Sequence, residues 1–403
     1  MPTIEKNAMP NTMNRRDFLF GSGGAAVALL ASPARGAAVA RVKKAAIIGH
    51  TGRGNFGHGL DLIFGNRRDV QVIAVADPDE AGRAKAQRAA RAVRAYADYR
   101  EMMEHERPEL VSVAPRWTLE HHAMVSAALA AGAHVYCEKP FMHTLAEADD
   151  VIMQAARSAR RIAVAHQGRV APATLLLKRR VDEGMIGDLL EIRVHGKQDR
   201  RAGGEDMLVL GTHQFDIVRF VVGDPLWCTA RIRHQGREAV RADARPATEG
   251  IGLVLGDEIE AMFAFPRGVN VHYTSRAGRA ASAGPWGLEF IGTHGRLRML
   301  SDPSPRVFVA RETAIGSSGQ VREWLPLSDA TTESADGRDL SITAANRRVV
   351  DDWLAAIAGF REPVCSGHAA MKSLEMIHAV FVAGLTGGRV AFPLRDRGHP
   401  LSV

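Results

Sequence analysis

Apolar residues are distributed in two styles along the chain. From Lys44 to Ala165 they form short unbroken runs, Ala45–Ile48, Val70–Ala76, Leu110–Ala114 and Ile162–Ala165, of the kind a strand buried on both faces requires. Helically spaced segments separate them, Glu80–Ala95, Glu120–Ala131 and Leu145–Ala156, the second closing on Gly132 as a helix C-cap. This alternation predicts a doubly wound parallel sheet. After about Gly168 the pattern changes to strict alternation. Leu190, Ile192 and Val194 interleave with Glu191, Arg193 and His195, and Val269, Val271 and Tyr273 with Asn270, His272 and Thr274. With Cys228–Arg233, Glu258–Phe265, Leu288–Ile291 and Arg306–Ala310, these predict a mostly antiparallel, open-faced sheet. Val349, Trp353 and Ile357, then Leu374, Ile377, His378 and Phe381, keep helical spacing and are expected in the core. Ser328–Gly337 reads as a solvated loop.

At 403 residues the chain has length for two domains, with boundaries expected at 41–167 and 168–403. The fold class that follows is α/β, with an α+β second domain carrying the large sheet. Ahead of them, Asn14-Arg15-Arg16-Asp17-Phe18-Leu19 and the apolar stretch Phe20–Leu30 read as a twin-arginine export signal occupying 1–40. That implies the export machinery as a partner and a periplasmic location, with an uncleaved anchor as the alternative. Twin-arginine export moves folded proteins, which suits a tightly held cofactor loaded beforehand. The net charge of +7 is mild, and no Lys/Arg run is interleaved with aromatics, which argues against nucleic acid. Cys137, Cys228 and Cys365 are odd in number and far apart, which excludes a disulfide framework and a Cys-x-x-Cys metal knot.

The candidate chemistry starts immediately after the first strand, at Gly49, Gly52, Gly54, Gly57 and Gly59. Glycines there let backbone amides approach a pyrophosphate, and a following helix N-terminus would add partial positive charge. Gly52-Arg53-Gly54-Asn55-Phe56-Gly57 matches G-x-G-x-x-G, whereas a turn beginning at Gly49 puts Thr51 in the second glycine position; both registers stay open. Asp77, closing the second strand, is placed to accept both ribose hydroxyls of adenosine, which favours NAD over NADP. These features describe a Rossmann domain. Further on, Cys137-Glu138-Lys139-Pro140 and Gly211-Thr212-His213-Gln214-Phe215-Asp216 suggest a lysine and a histidine around one substrate. A lysine exchanging protons near neutrality needs burial or a cationic neighbour to bring it down from about 10.4.

Ala130-Ala131-Gly132-Ala133-His134-Val135-Tyr136-Cys137-Glu138-Lys139-Pro140 resembles the A-G-x-H-V-x-x-E-K-P segment of the glucose–fructose oxidoreductase/inositol dehydrogenase (Gfo/Idh/MocA) family, and the likeness runs from about Val42 to Leu394. It implies Lys139 as the catalytic or substrate-binding lysine, Glu138 at the nicotinamide end of the cleft and Pro140 after a cis peptide. Gly203–Asp216 resembles the family's G-G-G-x-L-x-D-x-G-x-H-x-x-D helix, with Val209 in place of the aspartate. On an α-helix, 209, 213 and 216 share a face. His213 would bind or deprotonate a sugar hydroxyl, and Asp216 would orient the substrate or the imidazole. Asp206 is a carboxylate that enters the cleft from the helix start, and Lys197, Asp199 and Arg201 are sugar-pocket candidates. Pro115-Arg116-Trp117 replaces the family's usual Thr-Pro turn and sits where the nicotinamide should lie, with Trp117 able to stack on cofactor or sugar. His121 falls at the family's usual helix-start histidine, with a capping or structural role as the alternative.

The expected function is an NAD(P)-dependent oxidoreductase moving hydride between nicotinamide and a sugar or polyol carbon. The alternatives are an NAD-dependent glycoside hydrolase or lyase using transient oxidation, and a non-catalytic sugar-binding member. The open sheet face and the family likeness imply a homodimer or homotetramer.

Overall fold

In the computed structural model, residues 41–276, 286–301, 305–310 and 323–402 are described; the expected export signal at 1–40 lies outside them. The first layer is built from β1 (Lys43–Ile48), β2 (Val70–Ala76), α1 (Glu80–Ala90), β3 (Arg94–Tyr96), α2 (Tyr99–Glu106), β4 (Leu110–Val113), α3 (Thr118–Ala130), β5 (His134–Cys137), α4 (Leu145–Arg157) and β6 (Ile162–Val164). Its six strands are parallel, in the order β3-β2-β1-β4-β5-β6. The order reverses between β1 and β4, which opens a crevice at the carboxyl ends of those strands. Gly132 follows α3 at φ +85°, as its C-cap role demands.

Three details differ from the pattern-based expectation. The helix expected through Ala95 stops at Ala90, and Arg94–Tyr96 becomes an edge strand; three residues with a partly exposed pattern carry too little periodicity to announce it. His134–Cys137 is a strand as well. The largest departure lies after β1, where no α-helix follows the glycine run and residues 51–66 wind through successive turns. Gly52, Gly54, Gly57 and Gly59 all have φ between +56° and +87°, and Asn55 and Asn66 are also left-handed. Those angles, with a cost of about 1 kcal/mol for each helical glycine, leave no stretch long enough to propagate a helix.

The second layer begins with α5 (Pro172–Asp182) and β7 (Leu189–His195), then α6 (Gly204–Asp206), a π-helical turn Met207–Gly211 and α7 (Thr212–Val222). After these come β8 (Trp227–His234), β9 (Arg237–Glu238), β10 (Arg245–Pro246), β11 (Leu253–Val254), β12 (Glu258–Ala264), β13 (Asn270–Arg276), β14 (Gly287–Gly292), β15 (Arg296–Leu300), β16 (Arg306–Ala310) and β17 (Leu325–Leu327). The chain finishes with α8 (Ala330–Glu333), α9 (Ala335–Arg338), α10 (Ile342–Ala358), α11 (Gly367–Thr386) and β18 (Val390–Ala391). The large sheet runs β17-β16-β15-β14-β7-β13-β12-β8-β18, with β9 beside β8, and is antiparallel except where β13 meets β7.

Alternating burial in β12 and β13 leaves one face of this sheet open, as the sequence pattern predicts, while Phe215 of α7 packs on Phe263 and Tyr273 of the other face. β14 departs from alternation and is buried on both sides, with Glu289 neutralised by Arg296 and Arg298. Ser328–Gly337, expected as loop, forms the single turns α8 and α9 because Asp329 and Ser334 cap their N-termini. All three cysteines are buried and free.

Trp353 of α10 ties the C-terminal helices to the parallel sheet. It is fully buried, lies 6.5 Å from Phe64 and 6.0 Å from Tyr136 between ring centroids, and its Nε1 donates to the Arg161 carbonyl at 3.3 Å. Trp353→Ala should therefore cost about 3–5 kcal/mol, read as a lowered denaturant midpoint; a loss under about 1 kcal/mol would show that this junction does not hold the fold.

Candidate active site

The glycine run reaches its position at the crevice, but most of its members serve packing. A Cβ on Gly49 would lie 2.1 Å from the Phe56 ring, and one on Gly54 would lie 2.3 Å from the Arg116 amide nitrogen. Gly57 faces the Ala114 carbonyl and Glu138, whereas Gly52 faces open space. The missing side chains of Gly49 and Gly54 let the loop lie against Phe56 and against the β4–α3 turn. The expected helix dipole is also missing there, so loop amides alone remain for an anion.

Beyond the ends of β1 and β2 lies a cavity of about 310 Å³ lined by Gly49, His50, Asp77, Pro78, Tyr99 and Glu120. Asp77 is wholly buried at its wall. Its carboxylate accepts from the Thr51 amide at 3.0 and 3.1 Å, from Thr51 Oγ1 at 2.8 Å and from the Asp79 amide at 2.9 Å. Thr51 therefore holds Asp77 in place, and a ribose would compete for oxygens now given to the Thr51 hydroxyl. Arg83 donates to the Asp77 carbonyl at 2.6 Å. A concave site of this size, walled by an acceptor-only carboxylate, fits the adenosine half of a dinucleotide. At the other end Glu138 is fully buried. One of its oxygens meets His58 Nδ1, and the other, Oε2, has no partner among the described residues.

Lys139 follows, is 5% exposed and precedes Pro140 through a cis peptide. Its Nζ donates to the main-chain carbonyl of Val209 at 2.9 Å, inside the π-turn. Val209 lies four residues before His213 along one continuous helical segment, and the Lys139 charge acts on the His213 ring, so the structure brings the two together. Burial, reinforced by Arg116 and Lys197 against the opposing pull of Glu138 and Glu249, brings Lys139 down to about 8. His213 is held well below the usual imidazole range, first by desolvation and then by the positive field of Lys139, His166 and His58. The rings of His213 and His166 pack edge to face with centroids 5.4 Å apart.

Asp216 does not face the cleft. It is completely buried and accepts from Arg169 Nε at 2.8 Å and Nη2 at 2.7 Å, with His166 Nδ1 3.5 Å away. Burial works against its ionisation, yet Arg169 and His166 keep its carboxyl far below the ordinary range. Its expected contact with substrate is corrected to an indirect one: the imidazole it orients belongs to His166. Asp206 is likewise buried, accepting from Ser275 Oγ at 2.7 Å and the Gln198 amide at 3.1 Å, with Oδ1 unpartnered among the described residues. Burial raises its pKa, against those hydrogen bonds. It anchors the helix start to β13 and does not take the place of a carboxylate at 209.

Lys197 lies over the Trp286 ring at 5.0 Å. Arg201 pairs with Asp199, and its other nitrogen reaches Glu249 at 2.6 Å; the second Glu249 oxygen takes Arg116 at 2.8 Å. Glu249 sits on the turn between β10 and β11, so this ion-pair chain pins that hairpin across the cleft beside Lys139. Trp117 is wedged between Arg53, 5.7 Å from its ring, and Gly250, where a Cβ would lie 2.7 Å from it. Pro115 and His121 are structural here, since His121 Nε2 lies 2.6 Å from the Pro115 carbonyl and Nδ1 2.8 Å from that of Phe141. Sequence reasoning missed Glu249, Arg169, His166 and His58, because single charged residues far apart in the chain carry no local signal of pairing.

Residues 43–166 match the family described as GFO_IDH_MocA, an oxidoreductase family with an NAD-binding Rossmann fold, and residues 174–298 match its C-terminal domain. The chain is 25% identical to a D-apiose dehydrogenase of Paraburkholderia graminis over 336 residues, covering 80% of this chain and 84% of that one. It is 30% identical to an inositol 2-dehydrogenase 1 of Saccharopolyspora erythraea over 193 residues, covering 46% of this chain and 56% of that one. Among solved structures, a levoglucosan dehydrogenase in complex with NADH and levoglucosan aligns with a TM-score of 0.69 at 21% identity, covering 88% of this chain and all (100%) of that one. At that identity the last likeness speaks for the fold alone.

Asp216→Asn should leave the buried Arg169 guanidinium without its charge partner and cost about 3–5 kcal/mol. Chemical denaturation measures this, and a change within about 0.5 kcal/mol would show that Asp216 is not a structural anchor.

Proposed function

This chain belongs to the GFO/IDH/MocA family of NAD-binding oxidoreductases, and we propose that within it the protein oxidises a hydroxyl of a sugar or polyol, or reduces the matching carbonyl. The observation that carries the reading is a buried lysine amine, tuned to about 8, beside a part-buried neutral histidine at the mouth of a dinucleotide crevice. Bound NAD supplies the acceptor for the hydride. Asp77 would hold its ribose, and the carboxylate there supports NAD over NADP. Lys139 takes the hydroxyl proton, since an amine titrating near 8 is a far better acceptor than an imidazole held well below its usual range. His213 hydrogen-bonds the reacting oxygen. Trp286 and Lys197 offer a ring face and a donor to the remainder of the substrate. Dehydrogenases of D-apiose and inositol among the relatives support a polyhydroxylated substrate.

The same reading has the protein exported through the twin-arginine pathway, with NAD retained from the cytoplasm, on the strength of Arg15-Arg16 and the apolar stretch after them. It also assigns the open face of the large sheet to self-association as a dimer or tetramer.

Two measurements test this. Oxidation of sugars and polyols should proceed with NAD and rise with pH through about 8, because only the deprotonated amine can accept the proton; reduction should fall over the same range. Lys139→Ala should lose at least about a hundredfold in kcat, and a wild-type protein that neither binds NAD nor oxidises any member of such a panel would overturn the assignment. R15K/R16K should hold the protein in the cytoplasm in cell fractionation, and unchanged localisation would remove the export proposal.

A further inference from the structure

The partner that the structure gives Lys139 is a backbone carbonyl, on the one π-turn found among the described residues. Two carboxylates flank that turn along the helix, and neither is hydrogen-bonded to the lysine: Asp206 accepts from Ser275 and Gln198 through one oxygen, and Asp216 pairs with Arg169. The charged groups that do act on Lys139 are Glu138 and Glu249 on one side of the balance and Arg116 and Lys197 on the other, with the His213 imidazole close by. Wide turns of this type recur at functional sites. A carbonyl oxygen has two lone pairs, so it can serve Nζ without surrendering a helical hydrogen bond.

We propose that the main-chain carbonyl of Val209, presented by the π-turn, is the positioning group of Lys139, and that this neutral acceptor is what lets Lys139 itself serve as the proton acceptor of the reacting hydroxyl. The proposal rests on the oxidoreductase reading above and concerns how its base is set. A carbonyl accepts from an ammonium and from an amine alike, so it fixes the direction of Nζ in both protonation states. A carboxylate at the same distance would instead bind the ammonium preferentially and withhold the lone pair. In the step itself, the hydroxyl proton moves to the Nζ lone pair and the amine becomes an ammonium, while the carbon loses its hydride to NAD. One Nζ–H stays on the Val209 carbonyl throughout.

The test is the pH dependence of kcat/KM for wild type, Val209→Asp and Val209→Asn with saturating NAD. The limb near pH 8 should move up by at least about one unit when a carboxylate is introduced, a tenfold loss at fixed pH below it. Val209→Asn has nearly the same shape without the charge and should leave the limb in place. A limb that stays put in Val209→Asp, or moves equally in Val209→Asn, overturns the proposal, whereas a wild type without NAD-dependent activity would overturn the underlying function. Should Val209→Asp fail to fold, an ester in place of the Val209–Leu210 peptide weakens the carbonyl while keeping every side chain. It should lower kcat at least tenfold with the KM for NAD unchanged, and an unchanged kcat would sink the idea.

Discussion

The contact between the Lys139 amine and the Val209 carbonyl joins the two layers where chemistry is possible, and much of the surrounding structure makes that contact tolerable. Taking an ammonium out of water costs several kcal/mol unless partners compensate. Here compensation is partial by construction, since Glu138 is drawn towards His58 and Glu249 is shared between two arginines. The lysine therefore remains poised between its charged and neutral forms. A stronger ion pair would have made a sturdier joint and a poorer base.

The charges around it are arranged in two circuits, each an open chain of pairs. Arg169, Asp216 and His166 form one, buried, in which Asp216 on one ring nitrogen and the Thr212 hydroxyl on the other hold the His166 imidazole. Arg116, Glu249, Arg201 and Asp199 form the other, part-exposed and reaching the β10–β11 hairpin through Glu249. The buried circuit is costly to break and so behaves as scaffold, whereas the outer one is more heavily screened by water and so weaker. This difference in depth separates what supports the site from what covers it.

Much of the architecture was legible along the chain. Unbroken apolar runs located β1, β2, β4 and β6 to within a residue or two, because burial on both faces demands continuous hydrophobicity. Alternation located the open sheet, and the helical spacing of Trp353, Ile377 and Phe381 located the core. Lys139 and His213 stood out by the company they keep in sequence. The glycine run misled in one respect: it was read as the entrance to a helix, although glycines at positive φ were what prevented one.

What the sequence determined by itself was most of the strands, the long C-terminal helices, the order of the two layers and the candidates Lys139 and His213, since these follow from local periodicity and residue type. The tertiary structure decided which of those residues meet. It turned Asp216 and Asp206 inward to buried partners and drew Glu249 across the cleft. It also supplied Lys139 with an acceptor that belongs to the backbone. Any residue possesses a carbonyl, so no sequence pattern can mark the one at Val209; only the π-turn, a matter of how the helix is packed and wound, aims it at the lysine.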